Sequence, residues 1–300
     1  MFGQSWSNAT VMISVFAPRH RAAAAILGAL ICAIVGASGM PAQAQTRLKS
    51  HYVISMTGVS VGQAVWVLDI DDKRYTTTAT GKASGVLSVL VNGEGSVVTQ
   101  GVVANGNLAP SNFTSDIIDD EGKSELRMTF ERGVAKELVT QAPPPTADRV
   151  PITDTDRRGV VDPLSAMLIP IKAGDDALAT ANCDRVLAIF DGRRRYDLTL
   201  SFKRVDKVKI EGGRFWDVLV CGVVLQPIAG YRADSTLVKY VAGRRNMELW
   251  FVPIAGTSII APIRVLMPTF IGTLNIQADH FEAGPFTPAV VAPPPNGSPR

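Results

Sequence analysis

From about residue 45 onward, apolar and polar residues alternate with a period of two, the mark of strands that bury one face. Tyr196, Leu198, Leu200 and Phe202 alternate with Arg195, Asp197, Thr199, Ser201 and Lys203. Leu126, Met128 and Phe130 alternate with Glu125, Arg127, Thr129 and Glu131, and Phe270, Leu274, Ile276 and Ala278 with Thr273, Asn275, Gln277 and Asp279. Turn residues separate the runs: Asp71-Asp72, Asn105-Gly106, Glu121-Gly122, Asp191-Gly192, Glu211-Gly212-Gly213 and Gly243-Arg244. The runs amount to on the order of a dozen strands, and an open twisted sheet rarely exceeds about 10 without curling or splitting. The prediction is a mostly β protein: a strongly curved antiparallel sheet or incomplete, spiral-like barrel, with one or two short helices.

One helix is predicted after Asp162, an N-cap residue followed by Pro163, with Leu164, Met167, Leu168 and Ile171 at helical spacing and Pro170 keeping it short. A second is predicted over residues 84–91, where Val86, Leu87 and Leu90 form an apolar face. Either could plug a curved sheet. Pro143-Pro144-Pro145 begins a long connection to Asp162. Neither side of it holds enough strands to close alone, so a single domain over residues 45–282 is preferred to two. From Ala283 the chain carries Pro285, Pro288 and Pro293-Pro294-Pro295, and residues 283–300 are expected to form a disordered tail.

The start of the chain breaks the alternation. Arg19-His20-Arg21 leads into an uncharged apolar run and then Ala42-Gln43-Ala44, the pattern of a cleaved secretory signal over residues 1–44. Retention as a membrane anchor is the competing reading, because the run approaches the roughly 20 residues that span a bilayer. Cys32 follows Ala29-Leu30-Ile31, a poor fit to lipoprotein processing, and Met12 is an alternative start. The expected location is the periplasm.

The formal net charge is only +3, and two of the basic residues lie in that leader, so no electrostatic footprint for nucleic acid remains. Arg193-Arg194-Arg195 and Arg244-Arg245 read as solvated strand ends, with contact to anionic lipid or polysaccharide as the alternative. Cys183 and Cys221 are the two cysteines beyond the leader, and an oxidising compartment favours their pairing as a disulfide.

Candidates for chemistry are few. His51 and His280 fall on the first and last strands, where closure of the sheet could bring them together, but no carboxylate or cysteine cluster supplies metal-ligand spacing. His280 shares parity with Leu274, Ile276 and Ala278, which places it at a core edge. Ser165 lacks the Gly-x-Ser-x-Gly elbow of a hydrolase nucleophile. Asp69, Asp71, Asp72 and Asp119, Asp120, Glu121 match no EF-hand and read as turns. No catalytic residues and no cofactor are expected.

Trp66, Trp216 and Trp250 lie in runs that are apolar on both parities. Such strands are either covered on both faces or line a hydrophobic cavity. Core packing is one reading, and a groove for an acyl chain or other apolar ligand is the other.

Asp162-Pro163-Leu164-Ser165-Ala166, Phe190-Asp191-Gly192-Arg193-Arg194-Arg195-Tyr196-Asp197-Leu198, Trp250, Pro262-Ile263-Arg264-Val265 and Gly272 occur in this order, after Gly106-Asn107-Leu108-Ala109-Pro110-Ser111-Asn112-Phe113. Together they resemble the bacterial envelope family catalogued as domain of unknown function 3108, over residues 51–282. Met167-Leu168-Ile169-Pro170 departs from the more aromatic, Arg-containing continuation expected there. The resemblance implies an exported, mostly β protein with a strongly curved sheet, and it brings no catalytic residues. More loosely, helix-plugged curved sheets resemble periplasmic lipoprotein carriers. The resulting expectation is a non-enzymatic periplasmic protein that binds a lipid, lipoprotein or other apolar partner in a concave sheet. A scaffold that binds an envelope protein through a sheet edge is the alternative, and a hydrolase using Ser165 or His280 comes third.

Overall fold

The computed structural model describes residues 45–84, 93–119, 122–141, 148–172, 174–210 and 215–286. A first meander comprises β1 (Gln45–Met56), β2 (Val59–Ile70), β3 (Arg74–Ala83), β4 (Gly93–Ala104), β5 (Asn107–Asp119), β6 (Gly122–Glu131) and β7 (Val134–Thr140). Three of its hairpins turn on residue pairs with positive φ, Thr57-Gly58, Asn105-Gly106 and Arg132-Gly133. That sense of turn matches the right-handed twist of the strands it joins. Asp71 closes another turn by accepting from the backbone N–H groups of Lys73 and Arg74.

Helix α1 (Pro163–Ala166) and the two-residue β8 (Ile169–Pro170) lead into a second meander. It comprises β9 (Arg185–Phe190), β10 (Arg195–Lys209), β11 (Phe215–Ala229), α2 (Thr236–Ala242), β12 (Met247–Pro253), β13 (Ile259–Thr269) and β14 (Gly272–Phe286). All strands but β8 lie on one antiparallel path, β7-β6-β5-β4-β3-β2-β1-β14-β13-β12-β11-β10-β9, and β8 pairs with β13. The first and last strands are therefore neighbours in mid-sheet, in register from Gln45↔Phe286 to Met56↔Leu274.

β7 and β9 end the path, and residues 158–161 run between them. Arg158 bridges Val134, Val160 N–H donates to the Gly133 carbonyl, and Val161 bonds with Ala188 and Phe190 of β9. The β9–β10 turn closes onto β6: Gly192 has φ +87°, and a Cβ there would lie 2.5 Å from Leu126 Cδ1. Phe113, Leu126, Met128, Phe130, Val160 and Phe190 pack together across this seam. The result is a nearly closed, mostly β barrel, as the alternation predicts.

Strands apolar on both parities are explained by layering. One face of β10–β13 joins the interior, where Val218, Val220, Trp250, Val252 and Ala261 meet Leu48, Trp66 and Leu68 from β1 and β2. The other face presents Leu219, Cys221, Val223, Leu249, Phe251 and Ile260, which are covered by Ile169, Cys183 and Val241 from the α1–β9 connection and α2. Cys183, in a short 3-10 turn, is bonded to Cys221 of β11 with their Cα atoms 5.5 Å apart.

Three expectations change. The Asp162 helix stops at Ala166, and Pro170 joins β8 rather than ending a longer helix. β14 continues to Phe286, so residues 283–286, assigned above to the tail, pair with β1. α2 has no counterpart in the sequence reading, whereas the helix proposed for residues 84–91 falls almost wholly outside the described residues, as do the leader, the triple proline and residues 287–300.

Candidate functional site

Among the described residues, Trp66 and Trp250 pack in the interior and Trp216 is half-buried against the same cluster. Trp66 and Trp250 are each 6% exposed within the interior cluster, and Trp216 sets its ring edge-on to Phe281 at 5.8 Å. Burial of the indoles requires partners for their N–H groups. Trp66 Nε1 donates to Thr77 Oγ1 and Trp250 Nε1 to Glu248 Oε2. This part of the barrel is filled.

Around Trp250 lies an ionic cluster. Arg204 and Arg264 place their guanidinium carbons 5.1 and 4.7 Å from the indole centroid. Glu248 accepts from Lys203 Nζ at 2.5 Å and from both terminal nitrogens of Arg204. Burial pushes the Glu248 carboxyl up, but its bonds from Arg204, Lys203 and Trp250 outweigh that and hold it at about 2. A depressed folded-state value contributes stability above the unfolded range near 4.5, which is lost as pH falls toward 2. Denaturant titrations between pH 5 and pH 2, expressed as the slope of stability against pH, should be markedly flatter for Glu248→Gln than for the wild type. Equal slopes would remove Glu248 as the source.

A second buried polar network ties α1 to the barrel wall. Asp162 Oδ1 accepts from Thr99 Oγ1 and from the backbone N–H groups of Leu164 and Ser165, and Oδ2 accepts from Ser165 Oγ. The Ser165 hydroxyl also bonds with Tyr75 Oη at 2.7 Å. Asp162, Thr99, Tyr75 and Ser165 are all buried. Ser165 is therefore buried and engaged as part of a helix cap, and among the described residues no histidine is hydrogen-bonded to it.

The histidines meet in register, His51 opposite His280, across β1 and β14. A bulge there inserts Asp279, since Tyr52 pairs with Ala278. The extra residue reverses parity, so Phe281 is buried while the His280 side chain is 43% exposed. This corrects the placement of His280 at a core edge. His51 Nδ1 bonds Asp279 Oδ1 at 2.7 Å, and His280 Nε2 lies 3.4 Å from Glu282. Among the described residues no group of three His, Cys, Asp or Glu side chains could hold a metal. Asp69 is engaged by Arg47 through two hydrogen bonds, and Asp71 by its own turn. Arg195 pairs with Asp197, and Arg193 reaches Ser124.

The open apolar space lies elsewhere on the sheet. A recess of about 420 Å³ is bounded by Ile54, Ala64, Ala79, Gly81, Val97 and Ile117 of β1–β5. The register explains it: Ala64 pairs with Gly81, Gly62 with Ala83, and Gly81 with Gly95, so small residues share one face of three adjacent strands. That face is the continuation of the one bearing Trp66, Leu68 and Tyr75, where large side chains fill the space. Residues of opposite parity, among them His51, Gln63, Lys82, Glu94, Asp116 and Lys123, bound a groove of about 570 Å³ of mixed polar and apolar lining on the other face. Sequence reasoning sought a groove in the large aromatics. The signal was the period-two recurrence of Gly and Ala in β2, β3 and β4.

A family model described as a protein of unknown function (DUF3108) matches residues 51–279. A comparison with curated proteins gives no match. Among solved structures, the chain is similar to a beta-barrel-like protein of domain of unknown function DUF1849 from Brucella abortus. The identity is 11% and the TM-score 0.44, covering 81% of this chain and 98% of that chain.

Proposed function

The chain belongs to the DUF3108 family, and from that premise and the geometry of its sheet we propose an exported, non-enzymatic binding protein of the bacterial envelope. Its ligand is the acyl chain of a lipid or lipoprotein, seated in the recess between β1 and β5. The observation that carries this reading is the recess itself, about 420 Å³ bounded by Ile54, Ala64, Ala79, Gly81, Val97 and Ile117. Its size falls within the range of roughly 300–1,000 Å³ of small-molecule sites. A floor of Gly and Ala between Ile54, Val97 and Ile117 admits a slender apolar group without displacing the packed tryptophans. Export is supported by the leader pattern and by the Cys183–Cys221 bond, which persists in an oxidising compartment.

Native mass spectrometry of protein recovered from the periplasm, followed by lipid extraction, tests the proposal. The wild type should carry a lipid-sized adduct. Gly81→Leu should abolish it without loss of stability, because a Cβ at Gly81 meets Gln63 O and Ala64 Cβ only at ordinary contact distances of 3.5 and 3.6 Å. Wild-type protein without an adduct, even after incubation with phospholipid, would defeat the acyl-binding assignment.

A second reading, docking of an envelope protein at a sheet edge, is favoured by β7, which ends the strand path and leaves Val139 63% exposed. Photocrosslinking from position 139 in cells should then recover one defined protein.

A further inference from the structure

At one end of the barrel two hairpin tips and a helix gather exposed apolar residues. Phe270 and Ile271, in the turn between β13 and β14, are 55% and 76% exposed. The neighbouring β1–β2 tip is fixed to them: Thr57 N–H donates to the Thr273 carbonyl and Thr57 Oγ1 to the Ile271 carbonyl. That tip brings exposed Val59. From the other side α2 supplies Tyr240, whose ring lies 4.1 Å from Phe270 and whose hydroxyl donates to the Thr269 carbonyl, and exposed Leu237 one turn earlier.

The same corner is basic. Arg244 stacks on Tyr240 with its guanidinium carbon 3.8 Å from the ring centroid, and Lys239 and Arg245 are exposed beside it. Arg245 donates to the Ala242 and Arg244 carbonyls at the end of α2. Among the described residues, none of these three cations forms an ion pair. Asp234, before α2, is engaged with Arg232. Elsewhere on the barrel Arg204 and Lys203 are paired with Glu248, and Arg195 with Asp197.

A protruding Phe-Ile tip gains little in water, and rigid hairpins hold it outward. Uncompensated cations beside such a tip call for a partner that offers hydrocarbon beneath an anionic surface. We propose that this corner docks the protein on an anionic phospholipid bilayer, with Phe270 and Ile271 entering the acyl boundary and Lys239, Arg244 and Arg245 at the headgroups. Ile54 and Val61, which border the recess, lie on the strands that form the β1–β2 tip. Docking would thus turn the recess toward the membrane, although the docking inference stands without any ligand in it.

The test is co-sedimentation of residues 43–300, the unit to which all the described residues belong, with vesicles of phosphatidylglycerol and phosphatidylcholine in equal parts and with pure phosphatidylcholine vesicles. Binding to the anionic vesicles is expected, weakening steeply with salt because surface charges are screened over about 8 Å at physiological ionic strength. Ile271→Ser should weaken it by on the order of tenfold. Arg244→Gln with Arg245→Gln should weaken it by about thirtyfold. Ile271 is exposed enough for its variant to keep the wild-type melting temperature, which separates lost docking from lost folding. Absence of binding to anionic vesicles overturns the proposal, as does unchanged binding by Ile271→Ser. So does a wild-type dimer in sedimentation velocity that Ile271→Ser dissociates, which would make the tip a contact between copies. Gly81→Leu should leave vesicle binding intact, so failure of the acyl-binding reading and failure of docking are separately visible.

Discussion

Asp162→Ala is expected to destabilise the barrel by about 3 kcal/mol. The substitution removes a helix N-cap, worth about 1 kcal/mol. It also leaves the buried Thr99 hydroxyl without its acceptor, whereas the Ser165 hydroxyl keeps Tyr75 Oη. An orphaned buried polar group adds roughly 1–3 kcal/mol. Asp162→Asn should cost much less: its carbonyl can accept from Thr99, Leu164 and Ser165, and its amide can donate to Ser165 Oγ. Urea unfolding of the three proteins at pH 7 measures the order, and an Asp162→Ala cost below about 1 kcal/mol would reduce the network to an ordinary cap.

The pH dependence of this site is opposite to that of Glu248. Burial raises the Asp162 carboxyl above its usual value, with the bonds from Ser165, Thr99 and Leu164 opposing. The folded state therefore binds the proton more tightly than the unfolded chain. That contribution is fully present below the ordinary aspartate range and is lost as pH rises through the elevated value. The penalty of Asp162→Asn should accordingly be larger at pH 4 than at pH 7.

Replacing both cysteines with alanine should cost roughly 3–4 kcal/mol, the loop-closure value for a bond between residues 38 positions apart. For a domain of this size that corresponds to a melting temperature lower by roughly 10 °C. The bond holds the connection that carries Cys183 against the outward face of β11, over Leu200, Leu219 and Val223. Its loss should therefore expose this connection to limited proteolysis before the sheet unfolds. Both cysteines are 0% exposed, so reductant should act on the native protein only as fast as this segment opens. Immediate reduction under native conditions, or an unchanged melting temperature in the double variant, would contradict the arrangement.

Much of this architecture was readable because local patterning and long-range packing agree. The alternation around Leu126, the Asp162-Pro163 helix start and the Cys183–Cys221 pairing survive in the structure, while the alternation around Tyr196 holds only to Leu200, because Phe202 lies beside a bulge and is 43% exposed. The failures share a cause, which is information held by neighbouring strands rather than by the segment itself. His280 was misplaced because one bulge opposite His51 and Tyr52 reverses the faces of everything beyond it. α2 was missed because Thr236, Val238 and Val241 are β-branched, a poor helical composition that the Ser235 cap and packing on β11 and β13 override. The tryptophans suggested a groove because a strand covered on two sides and a strand lining a void read alike. The recess was overlooked because Gly and Ala attract no notice until the register sets them side by side.

The pairing of β1 with β14 has a consequence for how the molecule comes into being. Each meander can zip from its own short turns, but Ser50 and the His280 carbonyl it contacts are 230 positions apart. Contacts of such separation form slowly, since the intervening chain must surrender its freedom before they reward it. A nascent chain presents β1 long before β14 exists. One flank of β1 must therefore wait with bare backbone donors and acceptors until synthesis ends, when the arrival of the last strand converts two half-sheets into a barrel.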